Sequence, residues 1–317
     1  MISENLQLTT SAVRSAFFGR YETGPNPLAN IAFEVASVNE IEQFGWLADT
    51  PGMREWVGER IAKGVGSYDY KVTNKLWEST IAISRFVADS PLGAEQGRLK
   101  AEQMADDARQ FPYSLAMSLI NAGATSAALC YDGKPLFAAN HADVLGTKSV
   151  TQSNVVAATA ADPTAPTVTE TIAALRKLFA GFAGIKNSEG RKYFRSSDLR
   201  PIIFAPMAYA GVLRQLQKNA VVNEGSVAYS NEFVDGFDYN VEVELDAPTA
   251  SGGALYAFLP SVRVPGLVFS NHTAPTIWDN AAEMAAGRER DLVVGATTAF
   301  AVAPGEWRAA AKIAFSK

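Results

Sequence analysis

Between Trp46 and Gly93 the chain carries three tryptophans and two tyrosines in a stretch where no residue set composes a catalytic site. The segment reads GWLADTPGMREWVGER, then a glycine-bearing patch around Gly64 and Gly66, then YDYKVTNKLWESTIAISRFVADSPLG. Tyr68, Tyr70 and Val72 alternate with polar neighbours, and Ile81 and Ile83 do so again beyond Trp77. That period of two is the signature of a strand with one apolar face. The pattern predicts the two arms of a long hairpin over residues 54–88, with a wide tip between Gly58 and Gly66. A two-stranded hairpin is marginal in water alone, so this one must lie on another element or another chain. Trp and Tyr join large apolar area to a polar handle and are enriched at interface anchors. Trp46, Trp56, Tyr68, Tyr70 and Trp77 are therefore the candidate intersubunit contacts. The plain alternative for each ring is packing inside its own subunit.

Composition narrows the partners. The 317 residues are 48% apolar and 19% charged, enough for about two domains and a sizeable core. The net charge of −5 comes with no Lys/Arg block, which disfavours tight nucleic-acid binding through clustered phosphate contacts. Cys130 is the single cysteine, so no intrachain disulfide forms and a reducing compartment is expected. In the apolar run AALCY it reads as a small core residue. The start, MISENLQLTT, lacks the basic and apolar regions of a signal peptide. No run reaches the roughly 18 apolar residues of a membrane helix. The setting expected is cytoplasm-like.

Along the chain, residues 1–45 read as an arm, with a short helix from Ser11 to Gly19, a break at GPNP, and an extended piece from Ile31 to Val38. From Ala94 to Asn121 the period becomes helical, with Ala101, Met104, Ala105, Ala108, Phe111, Leu115, Ala116, Leu119 and Ile120 on one stripe. Pro112 predicts a kink, or a break with a second helix starting there. A strand is expected at Ser126–Tyr131, then a turn at Asp132-Gly133 and a small-residue linker, AATAADPTAP. Thr167 and Glu170 form a capping box for a helix that buries Ile172, Leu175, Leu178, Phe179 and Phe182. Ile202–Phe204 reads as a strand, followed at Pro206 by a helix with Tyr209, Val212, Leu213 and Leu216 inward. Strands are expected at 239–245, 254–259, 262–269, 292–302 and 308–315. No repeat or low-complexity block is visible.

The chemical inventory is thin. His141 and His272 lie about 130 residues apart, and with one cysteine they make a zinc site improbable. His141 reads as a loop histidine making ordinary hydrogen bonds. No phosphate-binding glycine loop, dinucleotide fingerprint or Gly-x-Ser-x-Gly elbow appears. Asp106-Asp107 reads as a solvated helix face, and Asn271-His272-Thr273 matches a glycosylation acceptor by pattern only. No catalytic, cofactor-binding or metal residue is assigned, and the expectation is a binding or structural protein, not an enzyme.

Three segments carry a resemblance to a known family. FGWLADTPGMREWVGER at Phe44 to Arg60, YKVTNKLWESTIAISR at Tyr70 to Arg85 and LCYDGKPLFAANHAD at Leu129 to Asp143 resemble the major head subunit of Mu-like phages and prophages, the gpT family. The likeness spans nearly the whole chain. It implies an α+β protein with the tailed-phage major capsid fold, the Hong Kong 97 type. Its parts would be an N-arm at 1–49, an extended E-loop at 50–90, and a P-domain at 91–190 whose spine helix is 94–122. An A-domain would follow at 191–265, and residues 266–317 would return to P-domain strands.

The resemblance also implies a role. Copies would assemble as hexamers and pentamers into an icosahedral shell enclosing double-stranded DNA, with the virion capsid as location and the bacterial host cytoplasm as place of assembly. Partners implied are the chain itself, a portal at one vertex, packaged DNA held non-specifically and, as an optional addition, a decoration protein; no membrane is involved. Relatives of this fold often carry a long charged helical scaffolding region first. Here the N-arm starts within the first few residues, which implies a separate scaffolding protein. An encapsulin-like compartment of the same fold is the alternative. Lys63, Lys71 and Lys75 lie in or near the hairpin, but no cross-link to an asparagine is predicted.

Overall fold

The computed structural model describes residues 4–47, 67–90, 92–142, 151–219, 221–224 and 227–317. Its helices are α1 (Glu4–Glu22), α2 (Arg85–Ala88), α3 (Gly93–Asn121), α4 (Val168–Gly184), α5 (Ala210–Lys218) and α6 (Ala281–Ala285). The first seven strands are β1 (Ala32–Ala36), β2 (Ile41–Leu47), β3 (Ser67–Thr73), β4 (Lys75–Ile83), β5 (His141–Ala142), β6 (Thr151–Gln152) and β7 (Val155–Thr159). Then come β8 (Ile202–Pro206), β9 (Val221–Glu224), β10 (Val227–Ser230), β11 (Asp238–Glu242) and β12 (Gly253–Phe258). The last are β13 (Leu267–Asp279), β14 (Leu292–Pro304) and β15 (Ala310–Ser316).

Helix α3 joins two cores. At 29 residues it is about 44 Å long. Its first half buries Ala101, Met104 and Ala105 with Leu6, Val13 and Phe17 of α1 and with Ile83, Leu292 and Val294. Its second half buries Tyr113, Ala116, Met117 and Ile120 with Phe137, Phe258 and Trp307. Of the kink or break expected at Pro112, the break does not occur; the proline sits inside one continuous helix. An interior proline costs about 3 kcal/mol, while each fully buried large apolar side chain returns about 1.5–3 kcal/mol. Met104, Met117 and Ile120 on either side are all nearly inaccessible, so packing wins. Helix α1 is longer than the Ser11–Gly19 expected, because Thr9 extends its buried stripe by donating its hydroxyl to Asn5 O and Ala88 O. The two helices touch at Gly97, where an added Cβ would stand 2.9 Å from Val13 Cγ2.

Two sheets complete the body. The five-stranded one has the order β11-β8-β12-β15-β7. Alternation splits β8: Ile203 and Ala205 face α4 and α5, where Leu175, Leu178, Phe182, Leu213 and Leu216 are buried. Ile202 and Phe204 face the second half of α3. With both faces covered, IIFAP is an unbroken buried run, as a central strand requires. The four-stranded sheet has the order β1-β13-β14-β4 and lies against α1 and the first half of α3. The capping box of α4 forms as expected: Thr167 Oγ1 accepts from Glu170 N, and Glu170 Oε2 accepts from Thr167 N at 2.7 Å.

Three expectations change. The strand paired with β3 is β2, which precedes the arm expected after residue 54, and the tip expected between Gly58 and Gly66 lies outside the described residues. No strand forms over Ser126–Tyr131; only Leu129 and Pro135 bridge around a turn with Gly133 at φ +72°. Strand β13 begins at Leu267, after Pro265-Gly266, and runs on to Asp279 through Pro275. Its register on β14 shifts between Asn271 and Thr273 and again before Thr276, and such irregularities are where a strand tolerates proline.

Candidate functional site

The second arm of the aromatic stretch serves two structures. Its inner part, β4, pairs along β14 from Leu292↔Ile83 to Phe300↔Lys75 and so belongs to the body. Its outer part, β3, pairs only with β2, from Ile41↔Thr73 to Leu47↔Ser67. The change falls at Asn74, which is 9% exposed. Asn74 N donates to Glu40 O, and its Nδ2 donates to Ser37 Oγ and Asn39 O, both at 2.8 Å. One side chain thus clamps the crossing point where the hairpin leaves the sheet.

Structure places the five aromatic residues differently. Trp46 and Tyr68 are opposite one another in the β2–β3 ladder, and Trp56 lies outside the described residues. Tyr70 turns toward the body, its hydroxyl 3.2 Å from Leu129 O and 3.1 Å from Pro304 O. Burial pushes its phenol above the usual range. Val72 is buried against Ala301 and Ala303, with Phe44 and Tyr70 beside it. Trp77 donates Nε1–H to Phe300 O at 3.2 Å and meets Phe111 edge-on at 4.9 Å between centroids. Tyr70 and Trp77 are both half-buried on their own subunit, which leaves part of each ring for a further contact.

Between the hairpin base and α3 runs an open cleft of about 580 Å³, lined by Tyr70, Val72, Trp77, Leu115, Leu119 and Val302 among others. Leu129, 43% exposed, is part of its lining, and Ile41 on β2 and Leu76 on β4 are exposed at 52% and 74%. A cleft lined mainly by apolar side chains at the root of a projecting hairpin suits an association surface.

Among the described residues, the groups with reactive side chains near the cleft are buried and, apart from Cys130, paired. His141 and Asp132 are buried together, Nδ1 to Oδ2 at 2.7 Å, with the imidazole stacked on Trp307 at 4.2 Å and 1° between planes. This is deeper than the loop position expected for His141, because Trp307, 166 positions away in sequence, supplies the covering face. Nearby, Glu306 accepts from Tyr131 at 2.9 Å and lies 3.5 Å from Arg308, whose guanidinium sits 4.7 Å from the Tyr193 ring centroid. Burial first, and then Glu306, push the Tyr131 phenol upward. Cys130 is buried, and burial pushes its thiol upward too, so the thiolate needed for nucleophilic or metal chemistry is disfavoured. These groups pin the turn at 129–136 to the end of β14. Among the described residues no three His, Cys, Asp or Glu groups converge as a metal site, and no helix is long and apolar enough to cross a membrane.

Residues 6–176 match the family described as Mu-like prophage major head subunit gpT. The chain belongs to the Mu-like gpT family. The matched range runs from α1 through the hairpin and α3 into α4, so it includes the hairpin and the α3 side of the cleft, while the β14 side, with Val302, lies beyond it. The major capsid protein of Escherichia phage Mu is 34% identical over 154 residues, which are 45% of this chain and 47% of that protein. The Mu-like prophage FluMu major head subunit of Haemophilus influenzae is 30% identical over 165 residues, 47% of this chain and 50% of that protein. The chain spans about half the length of the curated relatives it matches. Among solved structures, the mature capsid of bacteriophage PhiM1 superposes with a TM-score of 0.57 over 92% of this chain and 88% of that one, at 12% identity. The α+β fold of this gpT-family chain is therefore the tailed-phage capsid fold of the Hong Kong 97 type, as the sequence resemblance implied.

Proposed function

We propose that this chain is a major capsid protein that assembles as hexamers and pentamers into an icosahedral shell around double-stranded DNA. The observation that carries the reading is the hairpin β2–β3, held at its root by Asn74 and flanked by exposed apolar side chains, within the range that matches the gpT family. The parts take the roles implied by the fold: N-arm at 1–49, E-loop at 50–90, P-domain at 91–190, A-domain at 191–265, and return strands at 266–317. The E-loop, paired at its root with β2 of the N-arm, lies over an adjacent subunit, and the exposed parts of Tyr70 and Trp77, with Trp56, Tyr68 and Trp46 of the N-arm, contribute to that contact. Each such contact is modest, and many engaging together multiply through effective concentration. A separate scaffolding protein, a portal and non-specifically held DNA are the further partners, and the role is structural rather than enzymatic. Assembly takes place in the host cytoplasm. Family membership favours a phage head over an encapsulin-like compartment.

Electron microscopy of the full chain co-expressed with its scaffold tests the reading. Closed shells are expected from the unmodified chain. Removal of Gly58 to Ser67 is expected to leave a folded, soluble subunit and no closed shells. Normal shells from the deletion would refute the role given to the E-loop.

A further inference from the structure

Charge is segregated in the lobe built on the five-stranded sheet. From Asn219 to Val262 the chain has seven carboxylates and no Lys or Arg. Two of these are neutralised inside the subunit, Glu232 by Arg176 at 2.5 Å and Asp238 by Arg200 at 3.2 Å. Glu242, Glu244 and Asp246 form no ion pair among the described residues, although Asp246 lies within electrostatic reach of Lys312 on β15. They sit at the end of the edge strand β11 and just beyond it. Glu242 accepts from Tyr113 and Glu244 from Ser114, neutral donors that fix the carboxylates and leave the charge in place. Between them Val243 is 79% exposed.

The opposite edge carries the opposite sign. Residues 185–193 form a tight hairpin: Tyr193 N donates to Ile185 O, Asn187 N to Arg191 O, and Gly190 N to Asn187 O with Gly190 at φ +81°. Gln152, just before β7, accepts from Lys186 N and donates to Lys186 O, which anchors the hairpin beside the other edge strand. Lys186 and Lys192 are bridge partners across it, a like-charge pairing that costs stability by itself. Both are exposed, as is Arg195 three residues past Lys192, and none of the three side chains forms an ion pair among the described residues, though Arg195 N donates to Asp198 Oδ2 at 2.9 Å. Lys192 Nζ contacts Ala183 O at the end of α4, and Lys177 Nζ contacts Ala157 O on β7.

β11 and β7 run in the same sense, so Glu242 and Glu244 at the end of β11 and the basic groups beside the start of β7 occupy diagonally opposite corners of the sheet. Four strand spacings put them about 19 Å or more apart, beyond the roughly 8 Å screening length at physiological salt. They cannot neutralise each other within one copy. We infer that the basic corner of one copy docks on the acidic corner of the next, as a head-to-tail contact that closes rings of this chain. Such heterologous contacts generate closed rings when the rotation per copy is right, and opposed charges fix their register and reject the wrong one. The inference rests on the capsid reading and names the partner surfaces within a capsomer.

The test uses the full chain with charges reversed at one corner: Glu244→Lys with Asp246→Lys, or Lys186→Glu with Arg195→Glu. Sedimentation and electron microscopy read the ring and shell population, and circular dichroism reads folding. Each reversed chain should lose rings by about tenfold or more, because like charges then face each other. Both reversals in one chain should restore them. An equal mixture of the two singly reversed chains should restore six-membered rings, in which they alternate, and leave a mismatch in every five-membered ring. Rings from either reversed chain alone at the unmodified level would overturn the inference and leave the capsid reading standing. So would loss of rings that the combined reversal does not restore, or a basic-corner reversal that spares rings and only releases DNA. Failure of the unmodified chain to form any ring or shell would instead defeat the capsid reading and the inference with it. Should a reversed chain fail to fold, the neutral pair Glu244→Gln and Lys186→Gln decides: ring formation must weaken in both and become less sensitive to salt.

Discussion

Asn74 Nδ2 donates to Ser37 Oγ at 2.8 Å, tying the strand that leaves the four-stranded sheet to the turn that enters the hairpin. Ser37 Oγ lies 2.8 Å from Glu42 Oε2 as well, so the clamp continues onto the first residues of β2. The body and the hairpin share a strand, and this is the place where their orientation is set.

Asn74→Ala removes two donated bonds at a buried position, a loss of about 1–3 kcal/mol by the usual cost of unsatisfied partners. The expected readout is local. Amides of β2 and β3 should exchange faster, while those of β8 and β12 keep their protection. Unchanged exchange in β2 and β3 would show that the hairpin is held by something other than Asn74.

Gly97→Leu should separate α1 from α3, because even a Cβ at this position stands 2.9 Å from Val13 Cγ2 and 3.4 Å from Thr9 Cγ2. Overpacking of this sort costs about 1–3 kcal/mol, visible as a lower thermal midpoint. Gly97→Ala should cost far less, since Val13 can shift slightly and alanine favours the helix by up to about 1 kcal/mol. Equal midpoints for the leucine variant and the unmodified protein would contradict the close approach.

How much of this was legible in the sequence depends on how local the cause is. The capping box at Thr167 and Glu170 is set by residues three apart and stands as read. The stripe from Ala101 to Ile120 holds at Ala101, Met104, Ala105, Ala116 and Ile120, but Tyr113 and Met117 are buried where Phe111, 37% exposed, was expected. The capsid fold was legible through the wording of three segments rather than through periodicity. Pro112 left kink and break both open, and the break is excluded by partners from α1, β14 and Trp307 that no short window contains. The partner of β3 could not be read off Tyr68, Tyr70 and Val72, since alternation marks a strand and its inward face but not its neighbour. The same limit hid the depth of His141 and the clamp at Asn74, whose contacts come from distant segments.

The Glu170 carboxyl is held below its ordinary range, first by the backbone N–H of Ala161 and then by that of Thr167. A depressed carboxyl stabilises the fold above its unfolded pKa of about 4.3, and the contribution disappears as pH falls through the lower folded value. The thermal midpoint of the unmodified protein should therefore drop relative to Glu170→Gln as the solution is acidified below about pH 4.5. Above that pH the difference between the two should be constant. A difference that does not move on acidification would remove Glu170 from the acid response.

His141→Phe should keep the stack on Trp307 and strand the buried Asp132 carboxylate, whose side chain is 1% exposed. Breaking a buried pair from one side costs about 3–5 kcal/mol. Adding Asp132→Asn removes the stranded charge while keeping an acceptor for Lys134 N, which now bonds Asp132 Oδ1 at 3.1 Å. The double variant should thus recover part of the loss in denaturant unfolding, giving a coupling energy well above the few tenths of a kcal/mol seen for independent sites. Strict additivity would mean that the pair does not act as a unit.

Tyr70 and Trp77 separate the two roles an aromatic residue can have in an assembling subunit. Tyr70→Phe deletes the hydroxyl near Leu129 O and Pro304 O and keeps the ring, so subunit stability should fall by about 0.5–1.5 kcal/mol with shell formation retained. Trp77→Leu keeps apolar bulk but removes the Nε1 donor to Phe300 O and the edge contact with Phe111. If the exposed part of Trp77 also meets a neighbouring copy, shells should require more protein to form than the drop in subunit stability accounts for. Paired measurement of unfolding and of the threshold concentration for assembly distinguishes the cases. A threshold that tracks stability alone would assign Trp77 wholly to its own subunit.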